Sequence, residues 1–542
     1  MIDILEVLLP LFVGAPLILG AVLFVVPRTH PLQQIIGMGS LVAVLAGAIT
    51  VLQATSDGTV LAHQVALWPE GISIPFVADA FSSLILTAAS LVAVISFQYM
   101  MTSGESRSPF IPAMVLILIG GIAGALLTAD LFNLFVFIEV MLLPSYGLLI
   151  FLSRHGDLSP SRLYVVVNLL ASTLFLAGVG LIYAVQGTVN LAALAGAAND
   201  PATAIAVAVC LAAIAVKAAV FPVHGWLTRA YSATSPAVAA LFSALHTKVA
   251  VYVIYRISAV VYEGEGAWMA AILVIASLTM VVAAFAALGE KDMRSLLLFQ
   301  MVSGIGFILV GVALFTPLAL TAGIVYMVHS MVVVSSLLLV SSAIEHTYGS
   351  TRLDRVAGLR TREHLVTGVF VIGALSLVGL PPFSGFVAKY VLVLASADAG
   401  WAVVGGLLVV VSLFVLMAMM KIWADMFNGK RHTDVELLAA EERIRTRKGL
   451  YDWDYVDDEE IAGEAAHAVE HIEPPRATAT AGGDPHDHRG TRVRFSLIFP
   501  GLILASVSVA LGFGGEFLVQ LAENASNGLV DTSDYVRAVI GR

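Results

Sequence analysis

Four charged side chains sit in stretches that are otherwise mostly Leu, Val, Ala and Ile: Glu139, Lys217, Lys248 and Lys389. A charge at mid-bilayer costs about 2.5–3.5 kcal/mol on insertion scales, so four cost about 12 kcal/mol, comparable to a typical folding stability. Groups kept at that cost face each other, water or partner subunits. Helix-gluing ion pairs explain only part of the set, because one glutamate cannot neutralise three lysines. The chemistry open to them is proton transfer. Burial disfavours the charged form of an amine, which suits a buried lysine to taking up and releasing a proton.

Two of the lysines lie beside a break in their helix. Pro222 follows Lys217 by five residues in Lys217-Ala-Ala-Val-Phe-Pro222. A proline there removes one backbone hydrogen bond and clashes with the carbonyl of Ala218. Pro381-Pro382 interrupts Leu380-Pro-Pro-Phe-Ser-Gly385, and Lys389 follows seven residues later. Unwound backbone at membrane depth persists only where protein or a water-filled cavity satisfies it. A broken helix beside a charge, twice in one chain, has the pattern of ion-coupled transporters. Histidines add titratable groups. His329, in the middle of an apolar run, is expected to be a stepping stone between the central and C-terminal lysines. His246 lies two residues before Lys248, so the two point to different faces of a helix. His224, just after Pro222, either caps or binds the broken segment.

Other chemistries find little support. His467-Ala-Val-Glu-His471 matches the His-x-x-Glu-His zinc pattern, with His486-Asp-His488 nearby. It falls in a polar segment with too little apolar surface for the closed site such chemistry needs, so no metal or cofactor is expected. There is no Walker A motif, no strand followed by G-x-G-x-x-G and no G-x-S-x-G, which argues against ATP-driven transport by this chain alone. The single cysteine, Cys210, excludes disulfide frameworks and Cys-ligated iron–sulfur clusters. A net charge of −10 without a basic stripe disfavours nucleic acid.

The elements that position these residues are membrane helices. Of 542 residues, 59% are hydrophobic and 12% charged, far from the balance of a soluble domain. Apolar runs give 14 expected spans near 4–26, 34–54, 77–101, 110–127, 129–152, 163–186, 203–231, 236–258, 267–288, 295–314, 319–344, 365–395, 401–427 and 494–520. The first lacks the basic flank of a secretory signal and is too long for one. Alternate short loops hold Lys and Arg, among them Arg28, Arg107, Arg154, Arg294 and Arg360. The others hold Asp57, Glu70, Asp200, Glu263, Glu265 and Asp398 without Lys or Arg, leaving only Arg256 at a span end. That asymmetry places both termini outside. Residues 428–492 depart from the pattern, with 15 of the 38 acids and 5 of the 13 histidines. They read as a polar cytoplasmic insertion, with an exposed helix over Val435–Lys448 and a disordered stretch from Glu473 to Gly490.

Lys217-Ala-Ala-Val-Phe-Pro-Val-His-Gly-Trp-Leu227, followed by Ser235-Pro-Ala and Leu245-His-Thr-Lys-Val-Ala-Val-Tyr252, resembles the signature of antiporter-like membrane subunits. That superfamily includes the proton-pumping subunits of respiratory complex I and the Mrp-type multisubunit cation/proton antiporters. Leu380-Pro-Pro-Phe-Ser-Gly-Phe-Val-Ala-Lys389 is similar to its span-twelve motif, and Glu139 in Phe135-Val-Phe-Ile-Glu-Val-Met matches its span-five glutamate. Lysine in span twelve and the residues around Lys248 look most like the D-type subunits of the Mrp Na+/H+ antiporters. The 428–492 insertion is longer than that family leads one to expect.

The resemblance implies an all-α fold of two inverted five-helix repeats, each with one broken helix, at spans seven and twelve. It divides the chain into 1–101, helices one to three; 102–262, the first repeat; 263–427, the second; 428–492, the insertion; and 493–542, helix fourteen with a short external tail. Opposite chain directions would place both lysines on the outer side of their breaks. The expected function is proton translocation in a sodium/proton antiporter of the bacterial cell membrane, a secondary transporter rather than an enzyme. Glu139 would modulate a relay through Lys217, Lys248, His329 and Lys389, with His224 and His246 as accessories. Expected partners are the larger A-type subunit of such antiporters, small membrane subunits, protons and Na+. The rivals are a proton-pumping component of a complex I-like oxidoreductase or membrane hydrogenase, and a non-conducting scaffold.

Overall fold

The computed structural model describes residues 2–25, 30–65, 73–152, 158–429 and 492–541. Its first half holds α1 (Ile2–Leu8), α2 (Leu11–Val25), α3 (His30–Thr55), α4 (Ala80–Ser103), α5 (Phe110–Leu127), α6 (Leu131–Phe151), α7 (Ser159–Gln186), α8 (Pro201–Lys217), α9 (Gly225–Ser232) and α10 (Pro236–Val260). The second holds α11 (Ala267–Gly289), α12 (Met293–Leu314), α13 (Pro317–Tyr348), α14 (Leu359–Arg362), α15 (His364–Val378), α16 (Ser384–Asp398) and α17 (Ala402–Ile422). The C-terminal part adds α18 (Phe495–Phe513), α19 (Gly515–Val530) and α20 (Ser533–Ile540).

Twelve helical segments among the described residues are long and apolar enough to cross a membrane. Expected spans seven and twelve are not in that set because each is broken, α8 then α9 and α15 then α16. Helix starts are fixed locally. The carboxylates of Asp79, Asp130, Asp200 and Asp292 accept backbone N–H groups at the starts of α4, α6, α8 and α12. Pro201, Pro236 and Pro317 open α8, α10 and α13, where a missing N–H costs nothing.

Burial sorts the helices into a core and an outer ring. The spanning lengths of α10 and α13 are wholly buried and those of α4, α5 and α12 nearly so, while α2, α3, α7, α11, α17 and α18 leave most residues outside. The long α13 packs against α4, α10, α12, α15, α16, α18 and α19. The lysines and His329 therefore lie on or against the most enclosed helices.

The fold differs from the sequence expectation at two places. A hairpin, β1 (Leu61–Gln64) and β2 (Pro75–Ala78), precedes α4, antiparallel with Leu61 opposite Ala78. The segment expected to be a short external tail is helical, α19 and α20. Leu518, Leu521, Ala522, Ala525 and Leu529 of α19 are buried at helical spacing against α4 and α13. Gln64 of β1 donates to the Val539 carbonyl of α20 (2.8 Å), tying hairpin to C-terminus. The expected helix over 435–448, the 473–490 stretch and the His467–His471 and His486–His488 motifs lie outside the described residues, as do Arg28, Glu70 and Arg154.

Candidate functional site

Lys217 ends α8 and is buried. Its Nζ donates to the Asn168 carbonyl (3.2 Å) and to Ser172 Oγ (2.7 Å), both on α7. Beyond it the chain turns through Ala219, whose φ of +56° is unusual for a residue with a Cβ, and a cis Phe221–Pro222 bond. Trp226 Nε1 donates to the Val216 carbonyl (3.1 Å), satisfying one acceptor that the break leaves open. A cavity of about 10 Å³, room for roughly one water, is lined by Lys217, Asn168, Tyr164, Trp226, Met141 and His246.

Two neighbours face this amine from other helices. Glu139 of α6 has a buried Oε1 without a hydrogen-bond partner. It forms no ion pair with Lys217 among the described residues, but it lies within electrostatic range of that amine and of Tyr146. His246 Nε2 lies 2.6 Å from Ser145 Oγ, which itself donates to the Met141 carbonyl (2.6 Å). With that hydroxyl committed, His246 donates from Nε2 and keeps Nδ1 as an acceptor, which is buried and unpartnered. Lys248, one half-turn on, is 1% exposed and its Nζ has no hydrogen-bond partner.

The second break gathers different groups. His329 is wholly buried in α13, with Nδ1 2.8 Å from Ser384 Oγ and Nε2 unpartnered. Ser384 opens α16 and lies 3.2 Å from Ser508 of α18, which is 2.9 Å from Ser376 of α15. The approach depends on Gly385, because a methyl there would collide with the Ser376 carbonyl oxygen and stand 2.9 Å from His329 Cε1. Lys389 Nζ donates to the carbonyls of Leu377 and Val378 (3.0 Å each) and lies 4.8 Å from the Phe307 ring centroid. Its electrostatic reach includes His329.

The breaks share a scaffold. Aligning the sequence at Pro222 with that at Pro382, both in cis peptides, pairs Ala219 with Gly379, each with positive φ, and Gly225 with Gly385. Lys217 then matches Leu377, and Lys389 matches Arg229. The two lysines are not equivalent along the chain, yet the Lys389 amine reaches back across its break to the carbonyl of Leu377, the position Lys217 occupies in the first. The sequence expectation of both lysines on one side of their breaks thus describes the Cα of Lys389 and not its amine.

His224 is not among the residues lining the Lys217 cavity. It precedes α9, with its ring against Phe221 (6.1 Å) and Phe299 (6.4 Å). Sequence reasoning missed Ser145, Asn168, Ser172, Ser376, Ser384 and Ser508. Only Asn168, an amide in an apolar run, carried a signal that could have found it. Gln300 of α12, buried with neither amide atom partnered, was missed as well.

Residues 128–416 match the family described as NADH:quinone oxidoreductase/Mrp antiporter, TM. The chain is 34% identical over 436 residues to a protein of Alkalihalophilus pseudofirmus named as the D subunit of an Na(+)/H(+) antiporter, spanning 79% of this chain and 88% of that relative. It is 31% identical over 430 residues to a protein of Desulforudis audaxviator named as the N subunit of an NADH-quinone oxidoreductase, spanning 76% and 83%. A chain in the solved structure of the Mrp complex from Dietzia sp. matches with a TM-score of 0.87 and 44% identity, over 99% of this chain and 100% of that one.

Proposed function

The chain belongs to the NADH:quinone oxidoreductase/Mrp antiporter family of membrane proteins, and from that premise we propose that it is the proton-translocating component of a multisubunit Na+/H+ antiporter. One observation carries the proposal. Lys217, Lys248 and Lys389 are all buried in membrane helices, and none has an ion-pair partner among the described residues. Ion-pair glue would have placed Glu139 against one of them. Lysines held by carbonyls and hydroxyls, or by nothing, remain free to change protonation.

Protons load at Lys217, where Glu139 supplies a negative potential, and pass by way of Lys248 and His329 to Lys389. Water bridges the intervals too long for direct transfer, and Nδ1 of His246 and the hydroxyls at His329 offer further acceptors on the way. The two repeats, helices α5–α10 and α11–α17, carry one break each and make up ten of 14 spans, with both termini outside. The larger A-type subunit and the small membrane subunits complete the complex.

The test is ΔpH in inside-out vesicles bearing the assembled complex. Dissipation on adding sodium supports antiport. The 31% identity to a protein named as an oxidoreductase component favours a second reading, a relay driven by electron transfer, for which NADH would acidify the lumen. Relay substitutions that leave transport intact would reduce the chain to a scaffold.

A further inference from the structure

At the end of the molecule that carries the C-terminus, a cavity of about 250 Å³ is lined by Asp57, Asp79, Asn524, Asp531, Asp534 and Tyr535. Asp57 follows α3, Asp79 caps α4, and the rest belong to or flank α19 and α20. Hydrogen bonds from Thr59 and Ser533 hold the carboxyls of Asp57 and Asp531 below the usual carboxylate range, so the cavity stays negatively charged.

Arg256 closes the floor. It is 3% exposed, and its Nη2 lies 2.8 Å from Asp79 Oδ1 and 2.7 Å from Oδ2. The Tyr535 ring centroid is 4.8 Å from its Cζ, so the guanidinium touches two residues of the cavity lining. Its Nε and Nη1 are buried without partners among the described residues, two donors left uncommitted beneath a carboxylate-lined space. On the inner side Nη2 also donates to Tyr252 Oη (3.2 Å), which donates to the Leu126 carbonyl (2.8 Å). Tyr252 stands one turn and Arg256 two turns beyond Lys248 on one flank of α10, in steps of about 6 Å. Asp79, Tyr252 and Tyr535 are the titratable groups that face the guanidinium.

We propose that this cavity is the outward mouth of the Lys248 proton site, with the Asp79–Arg256 pair as its gate. The proposal rests on the chain being a proton-translocating subunit with its C-terminal end outside. Arginine does not release its proton, so Arg256 is a fixed positive charge paired with Asp79 that opposes entry of cations. The route is a side branch of the relay: a proton on the Lys248 ammonium that does not pass on to His329 travels through intervening water to the Asp79 carboxylate. Lys248 becomes a neutral amine, Asp79 a neutral acid, and the ion pair is lost. Asp79 then yields the proton to water in the aspartate-lined cavity, and the pair re-forms with charge conserved.

Asp79→Asn tests the gate, because asparagine caps a helix as well as aspartate does but cannot carry the proton. In vesicles of the assembled complex it should slow sodium-driven ΔpH dissipation at least tenfold, as Lys248→Ala should. A second variant needs no change in the core. Cys210 is buried, and Asp534→Cys adds an exposed thiol at the mouth. Labelling intact cells with a cationic thiol reagent should slow exchange several-fold, and an anionic reagent should leave it unchanged. A wild-type rate for Asp79→Asn beside an inactive Lys248→Ala would overturn the mouth and spare the relay; wild-type rates for both would overturn the relay too. Equal effects of the two reagents, or none from the cationic one, would also overturn the mouth.

Discussion

Glu139 lies within electrostatic range of Lys217 without contacting it, and the lysine spends two of its donors on Asn168 and Ser172. Unit charges 5–10 Å apart at an effective dielectric of 20 interact by roughly 2–3 kcal/mol, a tenfold or larger effect on how readily the amine is loaded. Glu139→Gln should therefore slow sodium-driven proton exchange at least tenfold with the complex assembled; an unchanged rate would leave the glutamate with a packing role only. At this scale the sequence was legible where chemistry was rare. Glu139, Lys217, Lys248, His329 and Lys389 stand out because charged and titratable residues are rare in the apolar runs that hold them. The serines that contact Lys217 and His329 do not, because serine recurs through these helices and usually bonds to its own preceding turn, as Ser412 does to Leu408.

The breaks were legible as elements from Pro222 and Pro381-Pro382, but the reach of the Lys389 amine across its break was not, because it depends on three-dimensional return of α16 past α15. Gly385 permits that return. In Gly385→Ala the methyl meets the Ser376 carbonyl oxygen and pushes α16 away from His329; transport should fall severalfold or more while a Gly180→Ala control, with open space at its Cβ, transports normally. The first break is pinned from its far side. Arg294 donates to the carbonyls of Ser232 and Thr234 (2.8 and 2.5 Å) between α9 and α10 and pairs with Glu345 of α13. Nearby, Ser235 at the start of α10 donates to Glu105 (2.8 Å) in the α4–α5 loop. Burial pushes the Glu105 carboxyl up to about 7 from 4.5. The folded protein then binds more protons than the unfolded chain between those values, so stability falls as pH rises through that window. Glu105→Gln should flatten that fall, read as the midpoint of thermal unfolding of the purified complex between pH 5 and 7.5; an unchanged slope would remove Glu105 from the linkage.

For the whole molecule, hydropathy revealed the twelve long spanning segments of the described residues because each apolar run is long enough to cross a bilayer. It missed α19 and α20, whose apolar positions are interrupted by Glu523, Asn524 and Asn527, and the hairpin, whose strands of four residues each are too short for a periodic signal. Loop charge asymmetry is the ground for the proposed orientation, with both termini outside. A cysteine at Ala479 should react with an impermeant thiol reagent from the cytoplasmic side alone, and labelling from outside would invert the assignment of the acidic cavity to the outer face. The two halves share a break scaffold but place their lysines at different chain positions, and a relay that crosses from one half to the other needs both. The most direct measurement is the initial rate of sodium-induced ΔpH dissipation in inside-out vesicles with the Lys217→Ala and Lys217→Arg complexes, assembly verified in each. Both should be inactive, alanine because the carrier is gone and arginine because it cannot release a proton; exchange at the wild-type rate in either would contradict proton transfer through the buried lysines.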